Sequence, residues 1–388
     1  MDQKAPARQG RLPAASPTGD PWLLTPGPLT TSPTVKAAMQ HDFGSRDHDL
    51  IAINRHMRER LVDIVQGGST HVCVPLQGSG TFVVEAMIGT FVPRDGKLLI
   101  LANGAYGTRI AKICDILGRD RAVIECPENV PVDVSALDAA LAEDSSITHV
   151  TVIHCETTTG ILNPIAEVAK VTERHNRSLL IDAMSAFGAV DIDAGAIPFD
   201  AVVASSNKCL EATPGVGFCI ARESALAETK GNAHSLALDL HDQWQTMEGN
   251  GQWRFTPPVH TILSFDQALK EYEAEGGVEG RGKRYRENCE ILISGMKKLG
   301  FETLLPAELQ APIIVTFLTP KDPKFDFQAF YDTLRHKGYI IYPGKLTVAD
   351  TFRIGCIGRL GKEQISDALD AIKSTLSELG VTDCTPGN

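Results

Sequence analysis

An acid and a lysine stand at the ends of two neighbouring apolar runs in the middle of the chain. Asp182 follows the apolar run 179–181, and Lys208 follows the apolar run 201–204 after a short polar stretch. Ligands of an open parallel sheet bind beyond the carboxyl ends of its strands, so both side chains are expected to face one crevice. A pyridoxal phosphate (PLP) enzyme needs these two groups: a lysine that forms an imine, and an acid that keeps the pyridine nitrogen protonated. The alternative interpretation is an aspartate that caps a turn and a lysine on the surface.

The glycine-rich turn QGSGT, at residues 77–81, joins a predicted strand to a predicted helix. Free backbone N–H groups and the helix dipole make such a junction an anion site, and glycines let the backbone approach closely. A dinucleotide site is disfavoured, because Val83 stands where the third glycine of G-x-G-x-x-G should be. A phosphate cradle is therefore expected here, with a tight turn that binds no ligand as the alternative.

Two further strand ends carry polar or aromatic groups. Tyr106, in the segment NGAYG, could stack on a flat cofactor or simply pack against the protein. The segment HCETTTG, at residues 154–160, contains an unusual run of hydroxyls. Such side chains can hydrogen-bond a phenolic oxygen or a substrate, or hold their own loop in place.

The elements that must position these groups alternate between strand and helix. Apolar runs of strand length separated by helical patterns predict a mostly parallel sheet with helices on both faces. Strands are predicted at 71–76, 97–102, 121–126, 149–155 and 216–221, and helices at 47–66, 81–91, 106–117, 134–142 and 165–175.

The pattern changes after residue 258, where two long helices are followed by a smaller mixed region whose sheet is expected to be partly antiparallel. Its predicted helices are 259–274, 282–299, 327–337 and 363–379, and its predicted strands are 313–318, 339–342 and 352–356.

Four parts of the chain are expected from this pattern. Residues 1–22 are predicted to be a disordered leader, since they are rich in Pro, Ala and polar groups. Residues 23–45 are predicted to be an N-terminal segment, residues 46–258 a large domain, and residues 259–388 a small C-terminal domain that includes the linking helix.

Composition narrows the class of protein. The chain has 388 residues, 43% of them hydrophobic and 22% charged, and a net charge of −11. No basic cluster stands out, which argues against nucleic acid or an anionic membrane as the main partner. Nine cysteines without C-x-x-C spacing indicate reduced thiols in a cytoplasmic protein. Cys209, next to Lys208, is interpreted as a packed thiol.

Ten segments together resemble one family of enzymes. They include LLTPGPLTTS, QGSGTF, NGAYG, HCETTTGILNP, IDAMSAFGA, SSNKCLE, RFTPPVHT and TFRIGCIG, and they extend from about residue 24 to the last helix. This sequence resembles the fold-type I PLP aminotransferases, in the class-V group that holds alanine–glyoxylate and serine–pyruvate transaminases. Such a resemblance implies an α/β fold, with a large domain whose mostly parallel sheet lies between helices and a smaller C-terminal α/β domain. Residues 46–258 would then be the large PLP-binding domain, and residues 23–45 would pack on the small domain and the site entrance. HCETTTG and SSNKCLE together are specific, whereas QGSGTF alone would not be.

The resemblance also implies a role for each of several residues. Lys208 and Asp182 would be catalytic, as the imine-forming lysine and the partner of the pyridine nitrogen. The remaining predicted cofactor ligands are Ser79, Gly80 and Thr81 at the phosphate, Tyr106 stacked on the ring, Thr157 near its hydroxyl edge, and Thr256 reaching the phosphate from a neighbouring subunit. Arg353 would bind the acidic group of the substrate, and no metal is expected.

Within this group, the segments are most similar to members that transfer the amino group of 2-aminoethylphosphonate to pyruvate. That similarity implies a reaction whose products are phosphonoacetaldehyde and L-alanine. The enzyme is expected to be a cytoplasmic homodimer. An alanine–glyoxylate or serine–pyruvate transaminase is the alternative, since it would share all the cofactor residues. A cysteine desulfurase is disfavoured because no cysteine lies in an evident mobile loop, and a PLP-binding regulator because the chain has no basic arm.

Overall fold

The computed structural model describes residues 13–344 and 349–387. Its strands are β1 (Trp22–Leu23), β2 (His71–Gly78), β3 (Lys97–Ala102), β4 (Asp120–Glu125), β5 (Ile147–Ile153), β6 (Cys155–Glu156), β7 (Ile161–Leu162), β8 (Ser178–Asp182), β9 (Ala201–Ser205), β10 (Gly215–Arg222), β11 (Ile314–Leu318), β12 (Tyr339–Ile340), β13 (Tyr342–Pro343) and β14 (Thr351–Gly355).

The helices of the described residues are α1 (Pro33–Ala37), α2 (His48–Ile64), α3 (Gly80–Phe91), α4 (Ala105–Leu117), α5 (Val134–Glu143), α6 (Ile165–Arg174), α7 (Glu223–Ala227), α8 (Leu240–Asn250), α9 (Val259–Ala274), α10 (Gly277–Lys298), α11 (Phe327–Lys337) and α12 (Lys362–Leu379). Among them, no helix is long and apolar enough to cross a membrane.

A seven-stranded sheet forms the centre of the larger part, in the order β2-β10-β9-β8-β5-β3-β4. The pairs β9–β8, β8–β5, β5–β3 and β3–β4 are parallel, and β10 runs antiparallel to both of its neighbours. Six strands therefore point the same way, and their carboxyl ends lie along one edge of the sheet. The predicted mostly parallel sheet between helices is confirmed.

The sheet is buried on both faces, which explains why its strands are apolar without strict alternation. In β3, Leu99 and Leu101 pack into one core with α2, α5, α6 and α9, whereas Leu98 and Ile100 pack into another with α3, α4 and α8. Each fully buried side chain of this size contributes about 1.5–3 kcal/mol relative to an exposed one. These two cores hold the strand ends in a fixed arrangement.

The C-terminal part has its own core around a three-stranded antiparallel sheet in the order β11-β14-β13. Helix α12 covers it with an apolar stripe at helical spacing that includes Ile365, Ala368, Ile372 and Leu376. The expected antiparallel region after residue 258 is thus confirmed.

Several predicted elements differ from the structure. The single strand predicted at 339–342 is two short strands in different sheets, since β12 pairs with β1 and β13 pairs with β14. Helix α10 begins directly after Gly276, five residues before the predicted start, because Gly276 adopts a positive φ of 100° that stops α9 and lets the chain turn. Helix α8 was not predicted at all.

The predicted disordered leader is only partly within the described residues, since residues 1–12 lie outside them. From residue 13 onward the expectation of disorder is wrong. The N–H of Ala14 donates to the carbonyl of Lys337 at 3.1 Å, Ser16 is buried, and Trp22 begins β1, which is parallel to β12 of the C-terminal part. Pairing with a strand more than 300 residues away is a tertiary contact that local composition does not reveal.

Candidate active site

Four strand ends converge on one cavity of about 510 Å³. The residues after β2 contribute Ser79, Gly80 and Thr81, the start of α4 contributes Tyr106, and the ends of β8 and β9 contribute Asp182 and Lys208; all six line the cavity. The structure therefore brings together six of the eight residues predicted to be catalytic or cofactor-binding. The two others, Thr157 and Thr256, are not among the residues that line this cavity.

Lys208 lies in the loop between β9 and β10 and is held from the N-terminal segment. Its Nζ donates a hydrogen bond to the carbonyl oxygen of Pro26 at 2.7 Å. A Cβ atom on Gly27, the residue after Pro26, would lie only 2.6 Å from Cδ of Lys208, and Gly27 has a φ of 111°. Glycine is therefore required at this position, both for its conformation and for the close approach of the lysine.

Asp182 is a buried carboxylate, with 4% of its surface exposed. Its Oδ1 accepts a hydrogen bond from the N–H of Met184 at 2.9 Å. Burial raises the pKa of Asp182 to about 6, against the lowering effects of that hydrogen bond and of the positive charges on Arg109 and Lys208. The ionised form of such a carboxylate is strongly stabilised by a cationic partner inside the cavity.

The phosphate cradle predicted at residues 79–81 is the first turn of α3. Ser79 is the N-cap residue, and the helix has 12 residues, so its first amides and its dipole are directed at the cavity. A Cβ atom on Gly80 would lie 2.4 Å from the sulfur of Met184. A side chain at position 80 would therefore require Met184 to move, whereas glycine lets the two segments lie close together.

Glu156 is a site residue that sequence reasoning missed. This fully buried carboxylate accepts hydrogen bonds from the N–H of Tyr106 at 3.2 Å and from the N–H and hydroxyl of Thr158 at 3.2 and 2.7 Å. Burial raises the pKa of Glu156, while these hydrogen bonds lower it. Glu156 thus fixes the start of α4 and so the position of Tyr106. A lone acid among the hydroxyls of HCETTTG was the available signal.

Arg109 was also missed. It lines the cavity, its Nη1 donates to Oγ1 of Thr81 at 3.3 Å, and its guanidinium lies 4.8 Å from the centre of the Tyr106 ring. The signal was its position one turn after Tyr106, which places both side chains on the same face of α4.

Arg353 lies on β14 at the interface with the large domain and is 2% exposed. Its Nη1 donates to the carbonyl of Thr157 at 2.8 Å, and its Nε donates to the carbonyl of Pro343 at 3.0 Å. The guanidinium also lies 5.9 Å from the ring of Tyr342. Burial lowers the pKa of Arg353. Thr157 is itself buried, and neither residue is among those that line the cavity around Lys208.

Thr256 is exposed and does not line the cavity of its own chain. It borders a smaller cavity of about 310 Å³ together with Phe82 and Phe255. Phe82 directly follows the cradle in α3, and both rings are unusually exposed, at 52% and 47% of their surface.

A buried polar network fixes the lysine loop on the far side from the cavity. Glu211, a non-glycine residue with a φ of 57°, donates its N–H to the carbonyl of Lys208 at 2.9 Å. Its carboxylate accepts from the hydroxyl of Tyr285 at 2.6 Å and from Nη2 of Arg284 at 2.7 Å. The Tyr285 hydroxyl in turn accepts from the N–H of Gly358, just beyond β14, at 3.2 Å. Helix α10 therefore contacts both the lysine loop and the segment that follows Arg353.

Cys209 is a packed thiol, as interpreted from the sequence. It is fully buried, its Sγ donates to the carbonyl of Ser185 at 3.2 Å, and burial raises its pKa to about 12. It is therefore not a nucleophile in this site.

The residues of the cavity suit pyridoxal phosphate. Four groups surround one space: an amine, a buried acid, a helix N-terminus and a half-buried aromatic ring. The aldehyde of the cofactor requires the amine, its pyridine nitrogen the acid, its phosphate the helix N-terminus, and its ring the aromatic side chain. Lys208, Asp182, the turn at residues 79–81 and Tyr106 would hold these four parts.

Comparison with known proteins agrees with this arrangement. The model of the family described as aminotransferase class-V matches residues 33–347. A curated 2-aminoethylphosphonate–pyruvate transaminase from Pseudomonas entomophila is 54% identical over 363 residues, which are 94% of this chain and 99% of that protein. One from Pseudomonas aeruginosa is 55% identical over 361 residues, which are 93% of this chain and 97% of that protein.

Solved structures are similar along nearly the whole chain. Pyridoxamine–pyruvate aminotransferase from Mesorhizobium loti has a TM-score of 0.84 and 25% identity, covering 94% of each chain. An alanine–glyoxylate aminotransferase from Nostoc has a TM-score of 0.84 and 23% identity, covering 95% of this chain and 98% of that one. By its sequence match and its fold, this chain belongs to the class-V aminotransferases, a family of pyridoxal-phosphate-dependent enzymes.

Proposed function

We propose that this enzyme transfers the amino group of 2-aminoethylphosphonate to pyruvate, producing phosphonoacetaldehyde and L-alanine in phosphonate degradation. The observation that carries the proposal is the identity of 54–55% over more than nine-tenths of the chain with relatives of that name. The similarity to an alanine–glyoxylate aminotransferase, at 23% identity, extends only to the fold. An alanine–glyoxylate or serine–pyruvate activity is therefore not favoured.

The chemistry of the cavity supports transamination. Bound pyridoxal phosphate supplies an aldehyde that captures amines and a ring that accepts electrons. Lys208 Nζ would move the proton: as a neutral amine it would take the proton from the carbon that bears the amino group of the donor and deliver it to the aldehyde carbon of the cofactor. Asp182 would hold the pyridine nitrogen of the cofactor and favour its protonated form by its negative charge. With pyruvate as the acceptor, Lys208 moves a proton in the opposite direction.

Arg353 is assigned to the acidic end of both substrates. Its bonds to the carbonyls of Thr157 and Pro343 use Nε and one Nη1 hydrogen and fix the plane of the guanidinium. Neither bond uses Nη2, so the Nη1–Nη2 end can pair with a phosphonate or a carboxylate in turn. Thr157 is assigned to the hydroxyl edge of the cofactor on family resemblance.

A homodimer completes the proposed site. Thr256 is exposed and is not among the residues that line its own cavity, and the apolar surface beside it includes Phe82, Leu236 and Phe255, exposed at 52%, 73% and 47%. A second copy would cover this surface and bring its Thr256 to the cradle. Twofold dimers are the commonest oligomers.

A cytoplasmic location is also part of the proposal. All nine cysteines lie within the described residues as free thiols, eight of them buried, which suits a reducing compartment.

The function is tested by following the first half-reaction alone. Full-length protein loaded with cofactor is mixed with 2-aminoethylphosphonate in the absence of pyruvate, and the cofactor absorbance is recorded. Conversion to the amino form of the cofactor, with release of one equivalent of phosphonoacetaldehyde per site, is expected for the wild type. Lys208→Ala should show neither, and borohydride should attach the cofactor covalently to the wild type alone. Reduced cofactor attached to a different lysine would contradict the assignment of Lys208.

A further inference from the structure

The charges around the cavity do not balance once the cofactor is bound. Of the residues that line it, three are charged: Asp182, Lys208 and Arg109. The cofactor brings a phosphate with about two negative charges at neutral pH. Its pyridinium would pair with Asp182, and the bond to the aldehyde engages Lys208 at the opposite end of the ring. Within the described residues, this leaves Arg109 as the lining cation available to the phosphate.

The position of Arg109 matches such a role. It comes from α4, one turn after Tyr106, and its Nη1 lies 3.3 Å from Oγ1 of Thr81 in the first turn of α3. The side chain is half-buried, and its hydrogen bond goes to the neutral hydroxyl of Thr81 and not to a carboxylate. A cation that is partly removed from water beside an anion-binding turn is stabilised when an anion binds there.

The hydrogen bond to Thr81 has a second consequence. A hydroxyl has one hydrogen to donate and two lone pairs that accept. Because Arg109 donates into the oxygen of Thr81, the hydroxyl hydrogen remains available for another acceptor. The Thr81 hydroxyl therefore becomes a donor toward the anion that occupies the turn at residues 79–81.

We propose that Arg109 is the counter-cation of the cofactor phosphate and that it orients the Thr81 hydroxyl toward the same group. The inference depends on pyridoxal phosphate as the cofactor, which family membership implies, and not on the identity of the amino donor or acceptor. The competing role for Arg109 is to stabilise ionised Asp182 at the other end of the ring, since the charge of Arg109 also lowers the pKa of Asp182.

Binding of two cofactor analogues distinguishes these roles. Full-length protein is stripped of cofactor and titrated with pyridoxal phosphate and with pyridoxal, which has the same ring and aldehyde without the phosphate. Arg109→Gln should weaken binding of pyridoxal phosphate roughly 10- to 100-fold, the range of a charge-assisted hydrogen bond, and change pyridoxal binding less than about threefold. Arg109→Lys should restore much of the loss. Lys112→Met, which removes an exposed cation from the same helix, is the control and should leave both affinities unchanged.

Equal losses for the two compounds would overturn the proposal and assign Arg109 to Asp182 instead. No loss for either compound would overturn it as well.

A spectroscopic measurement on the unaltered enzyme makes the test independent of how the variants fold. The second ionisation of a phosphate ester has a pKa of about 6 in water. An arginine in contact favours the dianion, so the ³¹P resonance of the wild-type cofactor should remain that of the dianion down to about pH 5. In Arg109→Gln the resonance should shift with pH near 6. A wild-type phosphate that titrates with the ordinary pKa would contradict the contact.

Discussion

The amine of Lys208 and the carbonyl oxygen of Pro26 form a hydrogen bond of 2.7 Å, although the two residues are 182 positions apart in the chain. The N-terminal segment therefore crosses directly over Lys208, the lysine proposed to form the imine. Gly27 permits this crossing, since any side chain there would occupy the space of the lysine stem. The position of Lys208 thus depends on the N-terminal segment as well as on its own loop after β9.

Gly27→Ala is expected to damage the site more than a comparable glycine substitution elsewhere. The new Cβ would lie 2.6 Å from Cδ of Lys208, at a φ of 111° that alanine rarely adopts. We expect at least a tenfold lower fraction of cofactor trapped on Lys208 by borohydride. Gly231→Ala is the matched control, because Gly231 also has a positive φ, 82°, but no atom within 4 Å of the new Cβ. Equal effects of the two changes would show that backbone strain alone, and not contact with Lys208, is responsible.

The sequence predicts the local parts of this site well. Asp182, Lys208, Tyr106 and residues 79–81 each stand at a strand end, and the shared direction of parallel strands is enough to bring them together. The contact between Pro26 and Lys208 could not be predicted, since it depends on how the N-terminal segment crosses the sheet edge.

The contacts between side chains could likewise not be predicted from local sequence patterns. The sequence offered only weak signals for Glu156 and Arg109, because their roles depend on the residues that burial and tertiary contacts place beside them. The same holds for Glu211, whose buried links to Tyr285 and Arg284 join segments more than 70 residues apart. Helix α8 was missed although Leu240, Trp244 and Met247 stand at helical spacing, because these are the only large apolar side chains in LHDQWQTMEGN.

Arg353→Lys is expected to slow both half-reactions. Lysine keeps the charge but cannot hold the carbonyls of Thr157 and Pro343 while presenting a planar fork to the substrate. The loss should be about 2–3 kcal/mol of transition-state binding, or roughly two orders of magnitude in kcat/KM, for both the phosphonate and pyruvate.

The exposed Arg359, a few residues further along, provides the control for Arg353, and Arg359→Lys should change neither rate. If Arg353→Lys impaired turnover of pyruvate but left that of the phosphonate intact, the two substrates would not share this arginine.

Asp182 makes the stability of the cofactor-free protein depend on pH in a specific way. Its pKa is raised from 3.8 to about 6 by burial, so between these values the folded chain binds more protons than the unfolded chain. The free energy of unfolding therefore falls as the pH rises through this window, by about 3 kcal/mol in total. Asp182→Asn cannot ionise and should be more stable than the wild type by about this amount above pH 6, and equal to it near pH 3.

Urea denaturation of both cofactor-free proteins across this pH range measures the difference. A constant difference in stability at every pH would contradict the raised pKa. In the presence of cofactor the order should reverse, since the pyridinium then pairs with the ionised Asp182.

Mixed dimers test whether Thr256 serves the partner's site. Lys208→Ala and Thr256→Val chains are co-expressed with different tags, and the mixed dimer is isolated. If Thr256 acts across the interface, the site with an intact Lys208 receives an intact Thr256 from the other chain, and that one site should bind cofactor with wild-type affinity. If Thr256 acted within its own chain, or the protein were a fully active monomer, no wild-type site would be restored.

The preferred pair of substrates tests the central claim most directly. kcat/KM is measured for 2-aminoethylphosphonate with saturating pyruvate, and for L-alanine and L-serine with saturating glyoxylate, on the same cofactor-loaded preparation. Phosphonoacetaldehyde and L-alanine are quantified as products of the first reaction. We expect the phosphonate reaction to exceed the other two by at least about two orders of magnitude, the discrimination available when a site built to hydrogen-bond one substrate must accept another. Faster turnover of alanine or serine with glyoxylate would contradict the proposed function, while the fold and the cofactor assignment would stand.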